Sequence, residues 1–293
     1  MTLVVKIGGS TVTISEELVC ELAREIGAGR TMVLVHGGSA LTDILCARLG
    51  HPICKITSPS GMTSRYTDSE TLQILAMAVA GQINTALVSS LQQQGVNALG
   101  LSGVDGRLIV AKRKAVLRSR DSEGRIHLIR NDYTGQVVQI NSQLLRQLLE
   151  AGYLPVIAPL ALSIEGERLN VDGDRAAAAI AVALGAEALV IITNVRGLLQ
   201  DADDPTSLVQ MLTAAQIAEH IHSTHGGMRK KLLAAQEALA GGVARVHIGN
   251  NSALGALEKE GTTIVAEPFT IQNGYRADET AIVVNREVRD ISL

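Results

Sequence analysis

The chain has 293 residues, of which 46% are hydrophobic, and a net charge of −3 at pH 7. This is enough apolar material for one large α/β domain or two lobes, and the charge gives no overall attraction to nucleic acid or to an anionic membrane. Only five aromatic residues occur, which argues against base stacking, and the three cysteines lack the C-x-x-C spacing of a zinc site or a disulfide framework.

No apolar run reaches the roughly 18 residues that span a bilayer, and the chain enters its first predicted strand without a basic and apolar leader. An odd number of cysteines without paired spacing fits a reducing compartment. We therefore expect a cytoplasmic protein that binds neither membrane nor nucleic acid.

The first predicted strand is an apolar run with one lysine, Lys6, and it ends at the glycine pair Gly8 and Gly9. A second apolar run, residues 32–36, is followed by another pair at 37–38. A glycine pair alone is more often a tight turn before a helix. Two pairs, with a lysine two residues before the first, favour one shared phosphate site, because glycine leaves backbone N–H groups open to a ligand.

Periodicity and capping residues predict most of the remaining elements. Helices are expected at 15–28, 40–49, 69–94, 141–151, 175–184 and 213–220, with a further helix ended by Gly241. Strands are expected at 98–103, 154–158, 188–193 and 243–248, and a loop at 51–64. Because strands and helices alternate in the second half, we predict an α/β fold, an open αβα sandwich with a central, mostly parallel sheet.

Residues 107–140 contain β-type runs separated by turn residues, which predicts a hairpin standing off the sheet. From Lys112 to Arg130 this hairpin has seven Lys or Arg and two acids, a local charge of +5. A solvated face is the ordinary reason for such a run. The alternative is a docking surface for an acidic partner, which would use Lys112, Arg113, Lys114, Arg118 and Arg120.

Five motifs in order resemble the amino-acid kinase family, in its acetylglutamate kinase branch. They are K-x-G-G at 6–9, H-G-G at 36–38, G-x-x-x-R-x-T-D at 61–68, N-x-D-x-D at 170–174 and G-M-x-x-K at 227–231. Within that branch, segments 64–68, 101–107, 112–114 and 132–135 resemble the [LysW]-aminoadipate kinases of lysine biosynthesis. The resemblance covers about residues 3–265. Such enzymes phosphorylate the side-chain carboxylate of an amino acid whose amino group is linked to a small acidic carrier protein, a partner that suits the basic hairpin.

The resemblance also implies roles for residues at the matching positions. Lys6 and Lys231 would stabilise the transferring phosphoryl group, and Asp174 would hold both lysines in place. The binding residues implied are Gly8, Gly9 and Ser10 for phosphate; Gly37, Gly38, Arg65 and Asn170 for the substrate; and Thr193, Asn194, Val195, Gly197, Leu198 and Met228 for the nucleotide. ATP and Mg²⁺ are the expected cofactors, with no side chain holding the metal directly. A carboxylate is already ionised at pH 7, so the reaction needs charge neutralisation rather than a general base.

Residues 1–160 are expected to form an N-terminal lobe for the amino-acid substrate and the carrier, and 161–265 a C-terminal lobe for ATP, while the role of 266–293 is open. The long helix at 69–94 suggests a homodimer.

Two other functions are compatible with the sequence: an N-acetylglutamate kinase of arginine biosynthesis acting on the free small molecule, and a noncatalytic amino-acid-binding regulator. Taken alone, Asp174 would be a helix-start acid and Lys231 a solvated helix residue. Aminoadipate and glutamate differ by one methylene, and both stay open.

Overall fold

The computed structural model describes residues 2–9, 14–114, 116–121, 123–201, 203–250, 254 and 260–266. Within these ranges the central sheet comprises β1 (Thr2–Ile7), β2 (Thr31–His36), β5 (Ala98–Ser102), β10 (Leu154–Ala158), β13 (Ala188–Ile192), β14 (Met211–Thr213), β15 (Arg245–Gly249) and β16 (Thr262–Val265). Their order is β14-β16-β15-β13-β1-β2-β10-β5, and every neighbouring pair is parallel except β15 and β16. The predicted α/β class with a mostly parallel sheet is confirmed.

Helices cover both faces of this sheet. They are α1 (Glu16–Gly27), α2 (Ser39–Arg48), α3 (Ser69–Ala76), α4 (Asn84–Gln93), α5 (Ser142–Glu150), α6 (Gly173–Leu184), α7 (Ala214–Ser223) and α8 (Gly226–Ala240). Short polar side chains start several of them by accepting otherwise unpaired N–H groups. Asp172, for example, accepts the N–H groups of Asp174 at 3.0 Å and Arg175 at 3.2 Å, which fixes the first turn of α6.

The central strands are continuous apolar runs because they are buried on both sides. Side chains of β1 alternate between two core clusters. Val4 packs in the cluster that contains α6 and α8, whereas Leu3 and Val5 pack in the cluster that contains α1 and α4. This alternation places Lys6 on the α6 side of the sheet.

The helix predicted at 69–94 is continuous from Ser69 to Gln93, but its middle, Met77–Ile83, is a π-helical segment. Its composition alone would allow a membrane span, since one 18-residue window has a mean hydropathy of 1.6. The sequence analysis did not identify a possible membrane span here, because polar residues interrupt the apolar run between Ser69 and Gln93. Leu72, Leu87 and Leu91 are buried in the core, so the apolar character belongs to packing inside the domain.

The loop predicted at 51–64 is instead a small hairpin of β3 (Lys55–Thr57) and β4 (Thr63–Arg65). Strands of three mostly polar residues lack the alternation by which a strand is recognised, which explains the error. The basic hairpin has two parts: β6 (Ile109–Arg113) and β9 (Gly135–Ile140) join a second sheet with β11 (Leu160–Leu162) and β12 (Arg168–Asn170), and β7 (Leu117–Arg120) pairs with β8 (Ile126–Ile129) at the tip.

One sheet runs through both predicted lobes, because β1 hydrogen-bonds to β2 on one side and to β13 on the other. The assignment of 1–160 to the amino-acid substrate and carrier and of 161–265 to ATP stays a prediction. Ser10 and residues 267–293, which include nearly all of the proposed C-terminal extension, lie outside the described residues.

Candidate active site

The two glycine pairs meet at the carboxyl edge of the sheet, where β1 and β2 end side by side. A Cβ added to Gly37 would lie 2.7 Å from the nitrogen of Gly9, and one added to Gly9 would lie 2.6 Å from the carbonyl carbon of Gly37. The two backbones are therefore in direct contact, and only glycine fits there. Open α/β sheets bind ligands at this edge.

The N–H groups of these four glycines are not equivalent. Gly8 donates to Ile192 O and Gly37 donates to Ile7 O, both at 2.9 Å, so these two groups belong to the sheet. The N–H groups of Gly9 and Gly38 have no hydrogen-bond partner among the described residues. Gly38 also precedes the first residue of α2, whose N-terminus carries partial positive charge. Of the four glycines, Gly9 and Gly38 are therefore the ones whose N–H groups could donate to a phosphate, while the predicted donor Ser10 lies outside the described residues.

Lys6, Asp174 and Lys231 converge beside these glycines. Lys6 Nζ lies 2.6 Å from one carboxylate oxygen of Asp174, and Lys231 Nζ lies 3.5 Å from the other. Lys6 is 6% exposed and Asp174 is 5% exposed. Burial acts to raise the pKa of the Asp174 carboxyl, but the two lysines outweigh it and hold that pKa below its usual range. One carboxylate therefore fixes two ammonium groups at one point.

Three elements bring this cluster together. Lys6 is near the end of β1, Asp174 is in the first turn of α6 and Lys231 is in the second turn of α8. Burial lowers the pKa of Lys231, and Asp174 acts against that shift. Two lysines and one carboxylate leave a net positive charge, which two helix N-termini increase. Because one carboxylate neutralises only one of the two ammonium groups, the cluster has positive charge left to stabilise a bound anion.

The cluster lies in a cleft of about 1130 Å³. Its walls include many of the residues that the sequence motifs predict for the site: Lys6, Gly8, Gly9, Gly37, Gly38, Arg65, Asn170, Asp174, Thr193 and Lys231. Lys114 and Arg118 of the basic hairpin line the same cleft. The hairpin therefore borders the cleft that contains the cluster.

Arg65 and Asn170, the predicted substrate ligands, form hydrogen bonds that fix their side chains. Arg65 donates from Nη2 to Ser39 O at 3.0 Å and forms an ion pair with Asp43, while its buried Nε has no partner within the described part of the chain. Asn170 donates to Thr67 Oγ1 at 3.0 Å. Both side chains are thus fixed in orientation at the cleft wall.

The residues predicted for the nucleotide divide into two groups. Thr193 lines the cleft, and Asn194 and Val195 are exposed in the loop after β13. Leu198 is 2% exposed, with its side chain in the core and its N–H donating to Thr262 Oγ1 at 2.8 Å. Gly197 is also buried, and Met228 packs against the same core. The side chains of Leu198 and Met228 thus pack in the core on the α6 side of the sheet.

The five hairpin cations predicted to dock an acidic partner differ in their contacts. Lys112, Lys114, Arg118 and Arg120 are exposed, and none of them forms an ion pair with a residue in the described ranges. Arg113 differs. It donates to Asp132 O at 2.9 Å and to Glu167 Oε1 at 2.8 Å, and its guanidinium lies 3.9 Å from the centre of the Tyr133 ring.

Sequence reasoning missed one residue that links two elements lining the cleft, α8 and the β3–β4 hairpin. Arg229 donates to Ser60 O in the β3–β4 hairpin at 3.0 Å, and so ties α8 to the hairpin that carries Arg65. Its position two residues before Lys231 is the sole local signal. The partners are 169 residues apart in the chain, so periodicity does not reveal them.

Comparisons with known proteins agree with this geometry. The sequence model of the amino acid kinase family matches residues 1–250. A [LysW]-aminoadipate kinase of Deinococcus radiodurans is 46% identical over 266 residues, 89% of this chain and 91% of that one. An acetylglutamate kinase of Methanopyrus kandleri is 38% identical over 89% of this chain and 99% of its own. A crystal structure of a Streptococcus mutans UA159 protein has a TM-score of 0.74 at 29% identity, covering 91% of this chain and 99% of that one. The chain therefore belongs to the amino acid kinase family and is a phosphotransferase.

Proposed function

We propose that the protein transfers the γ-phosphoryl group of ATP to the side-chain carboxylate of 2-aminoadipate, or of glutamate, whose amino group is linked to a small acidic carrier protein. The observation that carries this proposal is the shared cleft. Lys114 and Arg118 of the hairpin, which pair with no acid in the described part of the chain, line the same cleft as the Lys6 cluster. A substrate attached to an acidic protein would meet the hairpin while its carboxylate reached the cluster.

In this reaction a carboxylate oxygen attacks the γ-phosphorus, the new P–O bond gives an acyl phosphate, and the bond to the β,γ-bridging oxygen breaks with its electrons leaving on ADP. The attacking carboxylate is already ionised near neutral pH. The two reactants are both anions, so the chain's main task is to neutralise charge and align them. Lys6 and Lys231 would do this, with Asp174 keeping their ammonium groups in place.

Backbone donors complete the site. The N–H groups of Gly9 and Gly38 are open to phosphate oxygens, and Arg65 would bind a carboxylate of the substrate. Mg²⁺ supplies further neutralisation of phosphate charge when it accompanies ATP. Asp174 is occupied by two lysines, and no group of three or more His, Cys, Asp or Glu in the described residues could hold a metal ion. The ion fits here as one bound through ATP oxygens.

A homodimer and a cytoplasmic location are part of the proposal. Among the described strands β5 is at the end of the sheet, and it follows the continuous helix from Ser69 to Gln93. A sheet edge without a further described strand, beside a long helix, favours contact with a second copy. Light scattering should give twice the chain mass of 30.8 kDa. A monomer at micromolar concentration would contradict it.

N-acetylglutamate kinase activity on the free molecule is the alternative, and the relative from Methanopyrus kandleri that bears this name favours it. The two functions require the same cluster and differ in their use of the hairpin. A noncatalytic regulator is disfavoured, because binding alone has no use for two lysines converging on one carboxylate.

The test is ADP release with three substrates at equal concentration: carrier-linked aminoadipate, carrier-linked glutamate and free N-acetylglutamate. We expect turnover with a carrier-linked substrate and little with the free one. Preference between the two linked substrates should be modest, since one methylene changes the free energy of binding in a pocket by about 1–3 kcal/mol. Efficient turnover of free N-acetylglutamate alone would overturn the proposal in favour of the alternative.

A further inference from the structure

His36, the last residue of β2, is buried beneath the active site and has no assigned role. It is 1% exposed. Its Nδ1 lies 3.0 Å from Gly37 O, and its Nε2 lies 3.1 Å from Nδ2 of Asn84, which is 5% exposed. Asn84 Nδ2 also donates to Val156 O at 2.9 Å. The first residue of α4 is thereby connected to the Gly37–Gly38 peptide.

The partners determine the tautomer of His36. Gly37 O can only accept, so Nδ1 must carry the proton. Asn84 Nδ2 can only donate, so Nε2 must be the acceptor. The two hydrogens of the Asn84 amide are then both used, one by His36 and one by Val156 O. Burial lowers the pKa of His36 to about 4, so the neutral ring that this network requires is the form present near pH 7.

The π-helical segment Met77–Ile83 also brings apolar side chains against Gly38. In a π turn the hydrogen bond spans five residues instead of four, which changes the faces that the following residues present. A Cβ added to Gly38 would lie 2.5 Å from Val79 Cγ1 and 2.9 Å from Ile83 Cδ1. Val79 and Ile83 thus face Gly38, and Asn84 faces His36 directly before the glycine pair, although residues five apart, such as Val79 and Asn84, diverge on a regular α-helix.

We propose that His36 and Asn84 are positioning residues for phosphoryl transfer, which aim the Gly38 N–H at the transferring phosphate. The peptide between Gly37 and Gly38 is planar and trans, so its C=O and N–H point in opposite directions. His36 holds the C=O from beneath, and the N–H is thereby turned away from the ring, where no described residue takes it. This inference rests on the proposed function only in naming phosphate as the acceptor.

The first test is ¹⁵N NMR of the intact protein at pH 7.5, with His36 assigned through a His36→Leu variant. We expect a neutral ring with the proton on Nδ1, the less common tautomer. A proton on Nε2, or a charged ring, would overturn the proposal. This measurement needs no substrate, so it stands or fails separately from the choice between carrier-linked and free substrates.

The second test compares Asn84→Leu, His36→Leu and the double variant in kcat and in KM for ATP, using whichever substrate the enzyme turns over. Misaiming one donor should lower kcat roughly 10- to 100-fold with little change in KM. Because the two residues act on one peptide, the double variant should lose no more than the worse single variant. Losses in kcat that multiply, or a change in KM alone, would contradict the proposal.

Gly81→Ala is the matched control for these variants. Gly81 is in the same π-helical segment, is exposed, and has no atom within 4 Å of an added Cβ. Its kcat should equal that of the wild type. If Asn84→Leu does not fold, Asn84→Gln, which retains the amide one methylene further out, should fold with reduced kcat; wild-type kcat in that variant would overturn the proposal.

Discussion

Two regions of the molecule use the same side chains in opposite ways. At the strand ends, Lys6 and Lys231 are held by Asp174 in a nearly buried cluster. On the basic hairpin, Lys112, Lys114, Arg118 and Arg120 are exposed and unpaired with any residue in the described ranges. A buried cation acts through fixed geometry and is little affected by salt, whereas an exposed one acts through long-range attraction that salt screens. The same residue types therefore suit chemistry in one region and recruitment in the other.

Replacing Lys6 with Ala should have the largest effect. It removes a preorganised charge from the phosphoryl site, and losses of about 10²- to 10³-fold in kcat are typical of such a change. KM for a carrier-linked substrate should change little. Steady-state ADP release measures both constants. Arg30→Ala, an exposed arginine before β2 at the opposite edge of the sheet, is the charge-matched control. An unchanged kcat would show that the buried cluster is structural.

Lowering the pH should reduce the stability of the fold through the buried His36 but not through an exposed histidine. The pKa of His36 is lowered to about 4 by burial, while an unfolded histidine titrates near 6.5. As pH falls from 6.5 towards 4, the unfolded chain binds a proton that the folded chain does not, so stability is lost. The loss should be about 2 kcal/mol at pH 5 and approach about 3 kcal/mol near pH 4. Urea unfolding at pH 7.5, 6.0 and 5.0 measures it.

His36→Leu should flatten this pH dependence, and His127→Ala should not. His127 is exposed at the hairpin tip, where it bonds Asp121 at 2.7 Å and helps to lower the pKa of that carboxyl to about 2. His247, whose burial also lowers its pKa, acts in the same direction as His36, so some slope should persist. A His36→Leu profile parallel to that of the wild type would contradict the assignment.

Arg113→Ala tests whether one cation of the basic hairpin serves stability instead of docking. This arginine holds Asp132 O, Glu167 and the Tyr133 ring, so its loss should reduce stability by about 1–3 kcal/mol at any salt concentration. Thermal unfolding at low and high salt measures this. Arg120→Ala is the control and should leave the unfolding temperature unchanged. If the two variants unfold alike, Arg113 belongs with the docking cations.

Replacing Lys112, Lys114 and Arg118 together with Ala should give the smallest effect and the one most sensitive to salt. We expect KM for the carrier-linked substrate to rise about tenfold at low salt, because exposed interfacial charges act mainly on association. KM for ATP should not change. At 0.5 M salt the difference from wild type should largely disappear. A normal KM at low salt would make the hairpin a solvated face.

The residues that meet at the corner where β1 and β2 end can be named from the sequence because their signals are local. Lys6 is two residues before a glycine pair, and Asp174 and Lys231 stand at helix starts in recognisable motifs. The contacts that hold this corner escape prediction. His36 and Asn84 are 48 residues apart, and a π-helical segment breaks the 3.6-residue period on which helix prediction depends. The hairpin charge is plain in the sequence, but the commitment of Arg113 to internal partners requires the pairing of β6 with β9 and the approach of Glu167.

The double pairing of β1 limits how the enzyme can open. This strand is hydrogen-bonded to β2 and β13 along its length, so a hinge between the two halves would have to tear a parallel ladder. Opening of the cleft would therefore involve the peripheral hairpins, one of which is held to α8 by the hydrogen bond from Arg229 to Ser60 O. Amide exchange should be slowest in β1 and fastest in the β3–β4 and β7–β8 hairpins, so the central sheet would stay rigid while the hairpins move.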